Sequence, residues 1–254
     1  MPHNQQLYDA LGFAYAAHFS LYNRLEDVEL AIKYRSQAVR LFPEIIANKA
    51  RWLNDLAGSY FVRFERLGRI EDSRNAIEYQ LEALAHSNTL NEQAAWLGQL
   101  GSLCTLRFEL FGGPEDFDYA ISYLGRASSL SVENDHNKLR TLMTLGSLYL
   151  RGYTRLGKPE DLEHSISCFS QADSLTSDEH PDKTTIFGYL GDLYRARFQR
   201  LGELPDLDKS LEIQTLALSR TRDQSVKTEH LHALGKSSGH GTNFSGILKI
   251  LNSR

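Results

Sequence analysis

The stretch LGDLYRARFQRLG, Leu190 to Gly202, contains the pattern from which the fold follows, because near-copies of it recur along the chain. When the copies are aligned on the aromatic residue of the RF-like dipeptide, these anchor residues are spaced 45, 44, 45 and 45 residues apart. The anchors are Phe19, Phe64, Phe108, Tyr153 and Phe198. A fixed period of this length is typical of an array of stacked structural repeats.

The periodicity within one copy predicts an α-helix, which we name helix A. Leu190, Gly191, Tyr194, Phe198 and Leu201 lie at i, i+1, i+4, i+8 and i+11, which places them on one stripe of a helix and not on a strand face. We expect about 20 residues, or roughly 30 Å, for this helix. The glycine after the last leucine predicts a left-handed cap. A glycine or alanine also recurs seven residues before each anchor, and this predicts a close contact with a neighbouring helix.

A second helical pattern, helix B, starts four to five residues later. Its head carries an aspartate in every copy: Asp27, Asp72, Asp116, Asp161 and Asp206. An acid there can cap free N–H groups or interact with the helix dipole, which explains these residues without acid–base catalysis. Small residues seven apart, such as Ala76 and Ala83, let helix A of the same and the next unit approach closely. Stacking of helix pairs therefore supplies the core.

The leucine–glycine pair, the tyrosine three residues later and the two small residues seven apart resemble the tetratricopeptide (TPR) signature. These units are longer than the usual repeat of about 34 residues, chiefly through an added RFxRLG segment. In this they resemble the long tandem repeats of fungal TPR proteins, which often precede a caspase-like CHAT peptidase domain. The resemblance covers residues 7 to about 235 and implies an all-α fold, a right-handed α-solenoid of antiparallel helix pairs.

The repeat pattern predicts one TPR-like domain over residues 1–235. Its expected units are about 7–46, 47–90, 91–135, 136–180 and 181–224, with a partial sixth from 225. Residues 236–254 break the register and are predicted to form an irregular C-terminal tail, either a degenerate cap or the end of a truncated gene.

Composition and charge exclude several classes of partner. The formal net charge of -4 provides no global positive field for a phosphate backbone, so we expect no nucleic-acid partner. No signal-peptide pattern opens the chain, and no apolar run approaches the roughly 18 residues that span a bilayer. We therefore expect no membrane association and a cytoplasmic location, with a nuclear one as the alternative. The oligomeric state does not follow from the sequence.

The sequence predicts no catalytic residues, cofactor or metal. Gly235, Lys236 and Ser237 lack the earlier glycine and the preceding strand of a phosphate-binding loop. Cys104 and Cys168 occupy repeat positions that are apolar or aromatic elsewhere, so we interpret them as reduced, buried and inert.

Arginines recur beside the anchor and leave two interpretations open. Arg63, Arg107 and Arg197 precede it, whereas Arg66, Arg155 and Arg200 follow two residues after it. The arginines could pair with the acids at neighbouring helix starts or pack their stems on apolar surface. Alternatively, they could form a basic groove for acidic peptides or phosphates.

The resemblance implies that helix A lines a concave groove, and the positions that vary from unit to unit are the candidates for binding. They are Arg51, Asn54, Phe61, Arg140, Met143, Leu150, Asp192 and Arg195. The sequence thus predicts a non-catalytic scaffold that binds a peptide or a partner helix in this groove. The alternative is a regulatory or sensor repeat fragment of a CHAT-type caspase-like peptidase that lacks its catalytic domain.

Overall fold

The computed structural model describes residues 3–41, 46–131 and 136–220. In these residues the chain forms ten α-helices and one π-helical turn, and it forms no strand. They are α1 (His3–Tyr22), α2 (Leu25–Leu41), α3 (Ile46–Leu67), α4 (Ile70–Ala85), α5 (Leu90–Phe111), α6 (Pro114–Leu130), α7 (His136–Arg151), the π-helical turn (Gly152–Leu156), α8 (Pro159–Ser174), α9 (Lys183–Leu201) and α10 (Leu204–Arg220).

The helices pair in the order that the repeat predicts. Each odd-numbered helix is a helix A, each even-numbered helix is a helix B, and only two residues join the members of a pair, so the two helices run antiparallel. This confirms the all-α architecture of helix pairs. The chain packs as two compact units, one up to Thr141 and one from Leu142 onward, and the division falls within α7.

The two-residue turns depend on left-handed residues, as the sequence predicts. Positive φ angles of 64° to 74° occur at the glycine that ends helix A in four pairs, and at Asn23 in the first pair the angle is 55°. The four glycines are Gly68, Gly112, Gly157 and Gly202. In the third pair the N–H of Gly112 donates to the carbonyl oxygen of the anchor, Phe108, at 2.9 Å. The anchor therefore contributes its side chain to the core and its carbonyl to the turn.

In the second pair the core lies between the two helices of the pair and the helix A that follows. Phe64 from α3, Ala76 from α4 and Leu103 from α5 form one such cluster. The small residues predicted on helix B are buried in all five pairs: Ala31, Ala38, Ala76, Ala83, Ala120, Ala127, Ser165, Ala172, Ser210 and Ala217. Where serine replaces alanine, its hydroxyl donates to a helix A carbonyl, as from Ser210 to Gly191 at 2.8 Å. Small side chains thus let the two helices approach closely.

The glycines inside helix A occupy the tightest contacts between paired helices. A Cβ atom added to Gly101 would lie 2.4 Å from Cγ of Leu124, a residue of α6 with no exposed surface. The corresponding contacts are 2.6 Å from Gly12 to Arg35 and 2.5 Å from Gly191 to Gln214. The close helix contact predicted from the recurring glycine is therefore present.

Replacing Gly101 by alanine should lower the free energy of unfolding by about 1 kcal/mol, because overpacking against Leu124 outweighs the gain in helix propensity. Gly125 is the matched control, since it lies exposed within α6 and has no atom within 4 Å of the added Cβ. Gly125→Ala should raise the free energy of unfolding by about 0.5–1 kcal/mol, because alanine favours the helix more than glycine does. Chemical denaturation followed by circular dichroism measures both, and a stabilised Gly101→Ala protein would contradict the argument.

Two expectations from the sequence need correction, and the unit boundaries remain a prediction. The periodicity places the apolar residue three positions after each anchor on the core stripe, but this residue is exposed in all five pairs. It is exposed because the helical segment ends at this residue. The aspartates at the head of helix B are its third residues and not its caps. The unit boundaries stay a prediction, and the partial sixth unit from 225 and the tail 236–254 lie outside the described residues.

Candidate functional site

Three of the eight predicted binding residues line a single open cleft between two successive A helices. Leu150 comes from α7, and Asp192 and Arg195 come from α9. The cleft has a volume of about 550 Å³. It lies wholly within the unit that begins at Leu142.

Two tyrosines that the sequence analysis did not propose also line this cleft, Tyr153 and Tyr189. The ring of Tyr189 stacks on Phe169 with centroids 4.5 Å apart, which restricts its orientation. Sequence reasoning assigned Tyr153 to the core as an anchor. The sequence feature that could have indicated a position at a polar cleft was the hydroxyl group of Tyr153, because the other four anchors are phenylalanines.

Arg195 and Asp192 form a pair of opposite charges at the cleft. Nη2 of Arg195 donates to Oδ1 of Asp192 at 2.8 Å across one helical turn. Within the described part of the chain, Nε of Arg195 is buried and makes no hydrogen bond. The guanidinium group therefore retains unused hydrogen-bonding capacity beside a half-exposed carboxylate.

The π-helical turn distinguishes this cleft from the equivalent positions in other pairs. It runs from Gly152 to Leu156 and carries Tyr153 and Thr154 into the cleft lining. Gly152 stands where three other pairs have arginine and the first has histidine. Single π-helical turns occur frequently at functional sites. The fourth pair therefore departs from the repeat at the edge of the cleft.

The other predicted residues are dispersed. Phe61 lines a separate cavity of about 240 Å³ and packs against the cluster of Phe64 and Leu103. Asn54 accepts a hydrogen bond from Nε2 of the buried Gln80 at 3.0 Å, which turns it toward α4.

The three remaining predicted residues lie apart from this cleft. Arg51 is exposed and forms an ion pair with Asp9 at 3.2 Å. Arg140 is exposed and donates to Oδ1 of Asn137 at 3.1 Å. Met143 is half-buried on α7. None of the three is among the residues that line the cleft between α7 and α9.

The arginines that precede the anchor contact the aspartate of their own helix pair, and Arg197 also donates to Glu163 of the preceding pair at 2.7 Å. Arg63 donates to both carboxylate oxygens of Asp72, at 2.6 and 2.9 Å, and Arg197 does the same to Asp206, at 2.6 and 2.8 Å. The hydrogen bonds that Arg63 donates to Asp72 raise the pKa of Arg63. In the first pair His18 takes the place of arginine and lies 2.7 Å from Asp27.

The third pair has a longer version of this contact. Nη2 of Arg107 lies 3.4 Å from Oδ1 of Asp116, and burial raises the pKa of that carboxyl group while Arg107 opposes the rise. In four of the five pairs the aspartate at the head of helix B thus contacts a basic or imidazole side chain of the preceding helix A.

Two of the three arginines that follow two residues after the anchor reach back to the preceding pair. Nη2 of Arg66 donates to Oδ1 of Asn23 at 2.5 Å, and Nη1 of Arg200 donates to the carbonyl of Pro159 at 3.3 Å. Together with the contacts to the aspartates, these bonds support the structural interpretation of the arginines. They leave the hypothesis of a basic groove without an observation in its favour.

Both cysteines are buried. Burial raises the pKa of Cys104 to about 12 and that of Cys168 to about 11, so both thiols stay protonated near neutral pH. Across residues 3–41, 46–131 and 136–220, no three His, Cys, Asp or Glu side chains come together to hold a metal ion. In the same residues, no helix has the length and apolar character needed to cross a membrane.

Two solved structures are similar to this chain over most of its length. A candidate kinesin light chain from Podosopora anserina with nearly identical TPR-like repeats aligns at a TM-score of 0.59 and 15% identity, covering 88% of this chain and all of that one. BtubC (BKLC) from P. vanneervenii aligns at a TM-score of 0.60 and 14% identity, covering 92% of this chain and 93% of that one. No protein-family model matches the sequence, and no curated protein matches it closely. The chain thus has a TPR-like helical-repeat fold.

Proposed function

We propose that the chain is a non-catalytic scaffold that binds a peptide or a helix of another protein in the cleft between α7 and α9. TPR-like repeats generally mediate protein–protein interaction through the surface that successive helices form. The observation that supports this site is that Leu150, Asp192 and Arg195 line one open cavity together with Tyr153 and Tyr189.

The cleft combines the two kinds of side chain that dominate binding energy at interfaces, tyrosine and arginine. Tyr189 is held by its stacking on Phe169, so a ligand that packs against it gains contact area at little cost in side-chain entropy. Arg195 supplies donors for a carbonyl or carboxylate oxygen, and Asp192 supplies an acceptor for an amide or a basic group. Binding would depend on shape and polar complementarity.

Replacing Arg195 by glutamate should weaken peptide binding at this cleft about tenfold or more, because it reverses the charge of a central anchor. The test begins with peptides selected from a displayed library against the intact chain. Their dissociation constants are then measured by fluorescence polarisation for the wild-type protein and for variants. Tyr189→Ala should weaken the same peptides about tenfold as well.

Arg140→Glu provides the matched control, because Arg140 is an exposed arginine on α7 that does not line the cleft. We expect its dissociation constants to stay within about twofold of the wild type. Circular dichroism establishes that all variants keep their helical content. Selected peptides that bind Arg195→Glu and Tyr189→Ala as tightly as the wild type would refute the proposed site.

A further inference from the structure

Arg35 places a charge at a position that is neutral in every other helix pair. It lies on α2, where its stem packs over Gly12 of α1. The residues at the corresponding position of the other B helices are Gln80, Leu124, Phe169 and Gln214. Because glutamine fills this position in two pairs, the packing of the pair does not require an arginine.

The guanidinium group of Arg35 donates to two neutral oxygens. Nη1 donates to the carbonyl of Asp55 at 2.8 Å and to Oγ of Ser59 at 2.5 Å, both on α3. Among the described residues no carboxylate oxygen lies within 4.0 Å of it, and Nε and Nη2 make no hydrogen bond. The side chain of Asp55 instead accepts a hydrogen bond from Asn54, and that of Asp9 pairs with Arg51.

Arg35 borders an apolar cleft of about 270 Å³ between α1, α2 and α3. The cleft is lined by Ala16, Phe19, Val28, Ala31 and Val62 together with Gly58 and two serines. The Arg35 side chain is half-buried at the edge of this surface, and burial lowers the pKa of Arg35 although Asp55 and Asp9 oppose the change. Charged groups that lose part of their contact with water are ordinarily paired in folded proteins. The cleft thus holds a charge that lacks a direct counter-ion.

We propose that this cleft binds a peptide segment in which an acidic side chain adjoins an apolar one, with Arg35 donating to the carboxylate through Nε and Nη2. The apolar neighbour packs against Phe19 and Val62. The inference rests on the proposed peptide-binding function but concerns a different cleft, within the unit that ends at Thr141.

A carboxylate fits this cleft better than a phosphate group. One carboxylate carries one negative charge, which a single guanidinium group matches with two parallel hydrogen bonds. A phosphate group carries more negative charge at neutral pH. Asp55 and Asp9 are close enough to act on Arg35 electrostatically, so they would repel the excess charge of a phosphate.

The test uses two capped tripeptides, Ac-Leu-Glu-Leu-NH2 and Ac-Leu-Gln-Leu-NH2, titrated into the full ¹⁵N-labelled chain and followed by nuclear magnetic resonance. The glutamate peptide should shift the Nε–H signal of Arg35 and the backbone amides of Gly58 and Ser59. Its affinity should exceed that of the glutamine peptide about tenfold, as expected for a charge-assisted hydrogen bond. Inorganic phosphate, titrated alone, should leave these signals in place.

Arg35→Gln should abolish the difference between the two peptides and keep the fold, because glutamine already occupies this position in two pairs. The Arg195→Glu protein should retain the difference, which separates this cleft from the one between α7 and α9. Equal affinities for the two peptides, an Arg35 signal that responds to neither, or a stronger response to phosphate would each overturn the proposal.

Discussion

Replacing Phe108 by alanine will lower the free energy of unfolding by about 3–5 kcal/mol, the largest loss that we expect from a single substitution in the described residues. The Phe108 side chain is 1% exposed and packs against Phe117 with ring centroids 5.3 Å apart. Its removal leaves a cavity between α5 and α6 that the surrounding helices fill only in part. Chemical denaturation followed by circular dichroism measures the total loss. Native-state hydrogen exchange shows where the array opens, since repeat proteins do not always unfold in one step.

Phe111→Ala is the matched control for this substitution. Phe111 lies three residues further along the same helix, but it is 53% exposed and stacks on Phe64 at a centroid distance of 6.3 Å. We expect a loss below about 1 kcal/mol. If both alanine variants lost the same free energy, the assignment of Phe108 to the core and of Phe111 to the surface would be wrong.

Asp72→Asn will lower the free energy of unfolding by about 2 kcal/mol, because Arg63 loses the carboxylate that neutralises its charge. Asp72 is almost fully buried and accepts two hydrogen bonds from Arg63, which itself stays partly exposed. That exposure lets water compensate part of the loss, so we expect less than the full cost of breaking a buried pair. Thermal and chemical unfolding at neutral pH measure the change.

The neighbouring Glu71 provides the control. It pairs with Arg74 one turn away, and both side chains are more than 60% exposed, at 70% and 64%. Exposed pairs of this kind contribute little, so Glu71→Gln should change the free energy of unfolding by less than about 0.5 kcal/mol. A comparable loss for Glu71→Gln and Asp72→Asn would show that burial does not determine the strength of these ion pairs.

The features that repeat could be predicted from the sequence, because each copy tests the pattern again. The glycine of helix A, as at Gly101, and the small residues of helix B, as at Ala120, follow from one requirement, the close approach of two helices. The left-handed glycines follow from the geometry of a two-residue turn. Periodicity therefore predicted the helices, their pairing and most of their core.

The features that depend on several units could not be predicted in the same way. The sequence analysis placed Leu150, Asp192 and Arg195 among the candidates, but it could not show that they share one cleft, which depends on the packing of α7 beside α9. It also overlooked Arg35, because a charged residue at a position of helix B that varies between units is expected to face solvent. The partial burial of Arg35 follows from its stem, which packs over Gly12.

The arginines that precede the anchor and those that follow two residues after it bear on whether the chain can gain a repeat unit by duplication. Arg63 binds Asp72 inside its own helix pair, whereas Arg66 binds Asn23 of the pair before it. The second segment therefore encodes both the bonds that close it and a bond that joins it to its predecessor, and the fifth segment does the same through Arg197 and Arg200. In the fifth segment the bond to the predecessor ends on a backbone carbonyl, that of Pro159, which a copy of the segment would also present. A gene that gains a copy of this segment should therefore still encode a chain that folds without compensating substitutions elsewhere.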